Sequence, residues 1–141
     1  KIQKKEREFE KSLSLILFCF YLSYIGYILF PALGPRYAME HLHETELTGF
    51  LFSEHIQKIL NMLEGIKRDA FPSGHTGIAL TVLYLSYLYE KRLFMFFLPP
   101  VTLLIFATVY CRYHYAVDVL GGIILTVVTI TAGKLYYKPK L

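Results

Sequence analysis

Four stretches of the chain, residues 12–30, 73–89, 93–110 and 115–137, are each apolar over close to the roughly 20 residues that an α-helix needs to cross the hydrocarbon core of a bilayer. In a medium without water, backbone N–H and C=O groups must be satisfied inside the segment, and an isolated run of this length achieves that as a helix. The sequence therefore predicts an all-α integral membrane bundle with about four transmembrane helices. Composition agrees, since 55% of the 141 residues are hydrophobic and 16% aromatic, above the usual range of soluble domains.

The first stretch follows basic residues, as a secretory leader does, but it lacks a small-residue cleavage pattern. It ends in Pro31-Ala32-Leu33-Gly34-Pro35-Arg36 and reads as a permanent span. Orientation follows from Lys and Arg. With the N-terminus in the cytoplasm, that side holds Lys1, Lys4, Lys5, Arg7, Lys11, Lys91, Arg92, Lys134, Lys138 and Lys140, which is 10 of the 15 basic residues. Arg36, Lys58, Lys67, Arg68 and Arg112 fall on the other side, so both termini are expected in the cytoplasm. Tyr87, Tyr89, Tyr110, Tyr113, Tyr136 and Tyr137 lie at the predicted boundaries, where aromatic belts form.

The net charge of +4 is accordingly assigned to anionic headgroups and phosphate, not to nucleic acid. Cys19 and Cys111 define no disulfide framework. The run from Lys1 to Lys11 resembles a loop or the end of a helix arriving from elsewhere, so residues 1–141 are read as one membrane domain, a C-terminal fragment of a longer protein. Between the first and second spans, Leu47, Phe50, Leu51, Ile56, Ile59, Leu60, Leu63 and Ile66 recur at helical spacing. An amphipathic helix at the interface, or a lid, is predicted there. His41, His43, Glu44 and Glu46 have zinc-like spacing but read as a solvated loop, and no metal is expected.

Two polar segments interrupt this apolar pattern: Phe71-Pro72-Ser73-Gly74-His75-Thr76 and Arg112-Tyr113-His114-Tyr115-Ala116-Val117-Asp118. Both sit at ends of predicted spans on the same, extracytoplasmic, side. His114 and Asp118 are four residues apart and share a face if helical; the carboxylate can fix the imidazole tautomer and free the other nitrogen to attack. The same pair can equally do no more than satisfy each other near the headgroups. Ser73 can cap the second span, Gly74 lets backbone approach a ligand, and His75 is placed to protonate a leaving oxygen. The plainer reading is an ordinary N-cap beside an interfacial histidine. Arg36 and Arg112 can clamp phosphate oxygens or snorkel to headgroups.

With these residues in view, Pro72-Ser73-Gly74-His75 followed by His114-Tyr115-Ala116-Val117-Asp118 resembles the type 2 phosphatidic-acid phosphatase superfamily, related to bacterial acid phosphatases and vanadium haloperoxidases. The Pro-Ala-Leu-Gly-Pro-Arg segment and the His-Tyr-x-x-Asp form resemble its branch of inositol phosphorylceramide and sphingomyelin synthases. The resemblance implies a metal-independent lipid phosphate phosphatase or inositolphosphotransferase-like enzyme with six spans, acting without cofactor on a phospholipid or other lipid phosphate. It implies His114 as the nucleophile forming a phosphohistidine, Asp118 as its orienter and His75 as the acid. Ser73, Gly74 and Arg36 would bind phosphate. Two positions depart from the family pattern: Leu29 stands where a lysine precedes the arginine, and Thr108 where a second arginine precedes the histidine. Arg112 is the substitute for the latter. The alternatives are a catalytically inactive headgroup-binding member and, from another class, a proton-coupled transporter subunit.

Overall fold

The computed structural model describes residues 2–39, 59 and 68–137. Residues 40–58 and 60–67 lie outside the described residues, and with them most of the predicted amphipathic segment and the His41, His43, Glu44 and Glu46 cluster.

Five helices order the described chain: α1 (Ile2–Leu29), α2 (Pro35–Ala38), α3 (Gly74–Tyr89), α4 (Lys91–Tyr110) and α5 (Ala116–Tyr136). Helix α1 takes in the charged run that precedes the first apolar stretch, and it stops before Phe30-Pro31, because the residue before proline is disfavoured in α-geometry. Gly34 and Pro35 then start the single turn of α2. Glu90 alone joins α3 to α4, serving as C-cap of one and N-cap of the other. Helix α4 continues through Pro99 and Pro100.

Among the described residues, three segments are long and apolar enough to cross a membrane, Lys5–Leu29, Lys91–Tyr110 and Ala116–Tyr136. The expected fourth, α3, has 16 residues. At 1.5 Å per residue it rises about 24 Å, short of the ~30 Å hydrocarbon core. It is nonetheless the central helix, packed against α1, α4 and α5, while α1 and α5 also touch each other.

The bundle is apolar outside and small or hydroxylic inside. Phe106, Leu103 and Ile28 are 67%, 67% and 78% exposed, whereas Ser23, Thr76, Thr81 and Thr129 are buried. Lipid tails give no hydrophobic reason to bury leucine, so membrane helices associate through small residues that let backbones approach. The buried side of α5 follows that rule, with Gly121, Gly122, Leu125, Thr126, Thr129 and Gly133 at three- and four-residue spacing. A Cβ on Gly122 would lie 2.6 Å from the Ser73 carbonyl oxygen and 2.7 Å from Thr76 Cβ. The Thr126 hydroxyl contacts the carbonyls of Gly122 at 3.0 Å and Gly77 at 3.1 Å, tying α5 to α3.

Candidate active site

The N-terminus of α3, the short loop before α5 and the segment around α2 meet at one end of the bundle. Ser73 caps α3, its hydroxyl accepting the Thr76 N–H at 3.3 Å. Its own N–H donates to the Asp118 carbonyl at 2.9 Å, which fastens the Pro-Ser-Gly-His turn to the first turn of α5. Gly74 faces α1: a Cβ there would strike the Tyr27 hydroxyl and come within 3.2 Å of Ser23 Oγ. The Ser73 hydroxyl and Gly74, expected at a phosphate, thus have neighbouring protein groups beside them.

The loop carrying the second histidine begins where α4 ends. Arg112 takes φ 63°, the left-handed conformation usual for glycine. Its N–H bonds the Val109 carbonyl and the Tyr113 N–H bonds that of Thr108, both at 3.0 Å, the paired bonds of a Schellman motif. Thr108 also accepts the His114 N–H at 3.0 Å. The position where the family pattern has an arginine therefore contributes its backbone to setting the histidine. The next element starts when Asp118 Oδ2 accepts the Tyr115 N–H at 2.7 Å, a carboxylate capping its own helix.

His114 is only 5% exposed. Its Nδ1 lies 2.8 Å from the Ala70 carbonyl oxygen, which can only accept, so Nδ1 carries the hydrogen and Nε2 the lone pair. Nε2 in turn faces His75 Nδ1 at 3.3 Å. Asp118 Oδ2 is 3.7 Å from His114 Nδ1, beyond hydrogen-bond range. The orienting bond to the imidazole comes from Ala70, while Asp118 holds the loop and stands close by. Burial first, then the neighbouring His75 imidazole, lower the His114 pKa below its ordinary 6.5, against an opposing effect of the Ala70 carbonyl. At neutral pH the ring is therefore predominantly neutral, the form that can attack.

His75 is exposed, whereas its partner is buried and bonded to Ala70. The 3.3 Å contact is too short to hold a phosphoryl group between the rings, so a substrate must displace His75.

Arg36 reaches the same loop. Its backbone N–H donates to the Arg112 carbonyl at 3.0 Å. The guanidinium carbon lies 4.7 Å from the Tyr113 ring centre and 5.1 Å from that of Tyr37, and Nη2 donates to the Tyr37 hydroxyl at 3.0 Å. The structure thus brings His75, His114 and Asp118 together and joins the backbones of Arg36 and Arg112. Sequence reasoning missed Ala70, which acts through a carbonyl that no residue type advertises. It missed Tyr27 and Ser23 as well, although Cys19, Ser23 and Gly26 at helical spacing marked a close-packed face of α1.

An apolar-surfaced helical bundle with paired imidazoles, a buried carboxyl and an arginine at one end defines a membrane protein with a polar site at one end of its helices. The family comparison is more particular: the PAP2 superfamily model matches residues 2–132, and the chain belongs to that superfamily. A PA-phosphatase related-family protein of Dictyostelium discoideum is 28% identical over 112 residues, which cover 77% of this chain and 20% of the relative. The chain thus spans about a fifth of the length of that relative. No solved structure matches it.

Proposed function

We propose that this chain carries the catalytic site of a PAP2-type lipid phosphatase or phosphotransferase working through a phosphohistidine. The observation that carries the reading is the His114 imidazole, with Nδ1–H held by Ala70 and the Nε2 lone pair facing His75. In the first step the Nε2 lone pair forms a bond to phosphorus while the bond to the lipid oxygen breaks. His75 gives its proton to that oxygen. In the second step His75, now neutral, takes a proton from water or an alcohol, whose oxygen attacks phosphorus and releases His114. Each step leaves Nδ1–H on the Ala70 carbonyl, so the positive charge that develops on the phosphorylated ring is met by a dipole and by the nearby Asp118 carboxyl.

Arg36 and Arg112 supply charge for the equatorial oxygens, with Arg36 stacked between tyrosines and so pre-organised. Ser73 and Gly74 serve the phosphate indirectly, by fixing the end of α3 from which His75 projects. The family and the name of the Dictyostelium relative support a lipid phosphate substrate. The synthase-like segment around Arg36 supports a hydroxylated acceptor beside water. The excess of basic residues at the opposite end supports an extracytoplasmic site with both termini in the cytoplasm.

The test uses the full-length detergent-solubilised protein and its His114→Ala variant, given lipid phosphates and phosphodiester lipids with and without inositol or ceramide. Products are followed by mass spectrometry. Turnover abolished by His114→Ala is expected, with an acid-labile phosphoprotein in the parent. The ratio of free phosphate to transferred headgroup distinguishes hydrolysis from transfer. Turnover unchanged by the substitution would overturn the mechanism.

A further inference from the structure

At the end of the bundle remote from the histidines, α1, α3 and α5 enclose a second feature that the chemistry above does not use. A cavity of about 140 Å³ is lined there by Lys11, Tyr84, Tyr89, Lys134 and Tyr137 together with leucines of α1 and α3. Lys134 lies 16 residues beyond Asp118, about 24 Å along α5 at 1.5 Å per residue, so the two sites face opposite membrane boundaries. Lys11 Nζ sits 5.3 Å from the Tyr137 ring centre and Lys134 Nζ 5.8 Å from that of Tyr84. Each ammonium is thus held by a ring and not by a carboxylate in these contacts, and among the described residues no Asp or Glu lines the cavity. Glu8 lies one helical turn before Lys11 on α1, outside the lining but near Tyr89.

An apolar groove of about 570 Å³ runs beside it along the α1–α5 seam, lined by Phe18, Ala132, Leu135 and Tyr136 among others. Leu15, Gly133 and Tyr137 line both. Two cations from different helices therefore stand next to an apolar groove, across the seam where Leu15 packs on Gly133. We infer that this cleft is a binding site for an anionic phospholipid, its phosphate on Lys11 and Lys134 and one acyl chain along the α1–α5 groove. Charge complementarity selects the headgroup: a zwitterionic lipid brings its own ammonium to the lysines, whereas an anionic one leaves a net attraction. Tyrosines suit such a depth, since each pairs an apolar ring with a polar hydroxyl. Such a lipid would clasp both ends of the chain's spanning region, since Lys11 and Tyr137 already meet there. The site is independent of the phosphohistidine reading.

The test places a photoreactive benzoylphenylalanine at Phe18, in the groove, and a second one at Leu103, on the outer surface of α4. The full-length protein is irradiated in phosphatidylcholine bilayers with a minor share of phosphatidylglycerol, and the adducts are identified by mass. Adducts at position 18 should be enriched in phosphatidylglycerol about fivefold or more over its share of the bilayer, and those at 103 should not. The double substitution Lys11→Gln and Lys134→Gln should abolish the enrichment, and Lys11→Arg with Lys134→Arg should keep it. Equal enrichment at 18 and 103, or enrichment that survives the Gln pair, would overturn the site.

Discussion

Two nitrogens of one ring have distinct partners at the residue scale. His114 gives its Nδ1 hydrogen to Ala70 and keeps a lone pair on Nε2. Its folded pKa lies below 6.5, so as pH falls through 6.5 the unfolded chain takes up the proton first. Stability is therefore lost as pH drops from about that value toward the folded pKa, and no further below it. The acid limb of kcat/KM should accordingly have its midpoint below 6.5, and imidazole NMR in micelles should show His114 titrating there. Titration at or above 6.5 would remove the burial argument. Arg112 offers a second test, because its backbone and side chain can be separated. Its φ of 63° costs a non-glycine residue about 1 kcal/mol. Arg112→Gly should thus leave the fold as stable or more so by about 1 kcal/mol in thermal unfolding, while lowering turnover about 100-fold if the guanidinium serves the phosphate. A large loss of stability would assign Arg112 to architecture. The histidines and Asp118 were legible in sequence because their types are rare in apolar chain. The Ala70 carbonyl was not, because every residue has one.

Among elements, the decisive contact is that of α3 with α5, which brings the two histidine-bearing motifs to one place. It rests on the absence of side chains: Gly122 meets the Ser73 carbonyl, and the Ser73 N–H reaches the Asp118 carbonyl. Gly122→Ala should force the helices apart, destabilise the bundle by about 1–3 kcal/mol and reduce turnover in step, as measured by unfolding in mixed micelles alongside lipid phosphate release. Gly→Ala at an exposed helical site would instead stabilise slightly. Helix ends were legible to within a few residues wherever Pro, Ser or Gly punctuated the chain. The stretch of 17 residues expected as a span at α3 forms a helix of 16, shorter than the three that have spanning length. Apolar length alone does not distinguish a helix that meets lipid from one surrounded by its neighbours.

For the molecule as a whole, the outer surface is the part that a bilayer must solvate. Leu103 lies near the middle of α4 and is 67% exposed. Leu103→Lys should raise the apparent insertion free energy of that segment by about 3 kcal/mol, read as a loss of the spanning form in a glycosylation-mapping assay. Insertion as efficient as the parent's would mean that α4 does not face lipid. The sequence by itself determined the class of the molecule and singled out the polar side chains that gather at one end of the bundle, because a bilayer's demand for satisfied backbone is met by long apolar helices and leaves polar side chains conspicuous. Only the tertiary structure decided which atoms touch. That the imidazole is oriented by a backbone carbonyl, that Ser73 and Gly74 face inward, and that two lysines from opposite ends of the chain line one cavity depend on where helices cross. Crossing is fixed by small residues fitting one another across interfaces, a pairwise property that no single stretch of sequence contains.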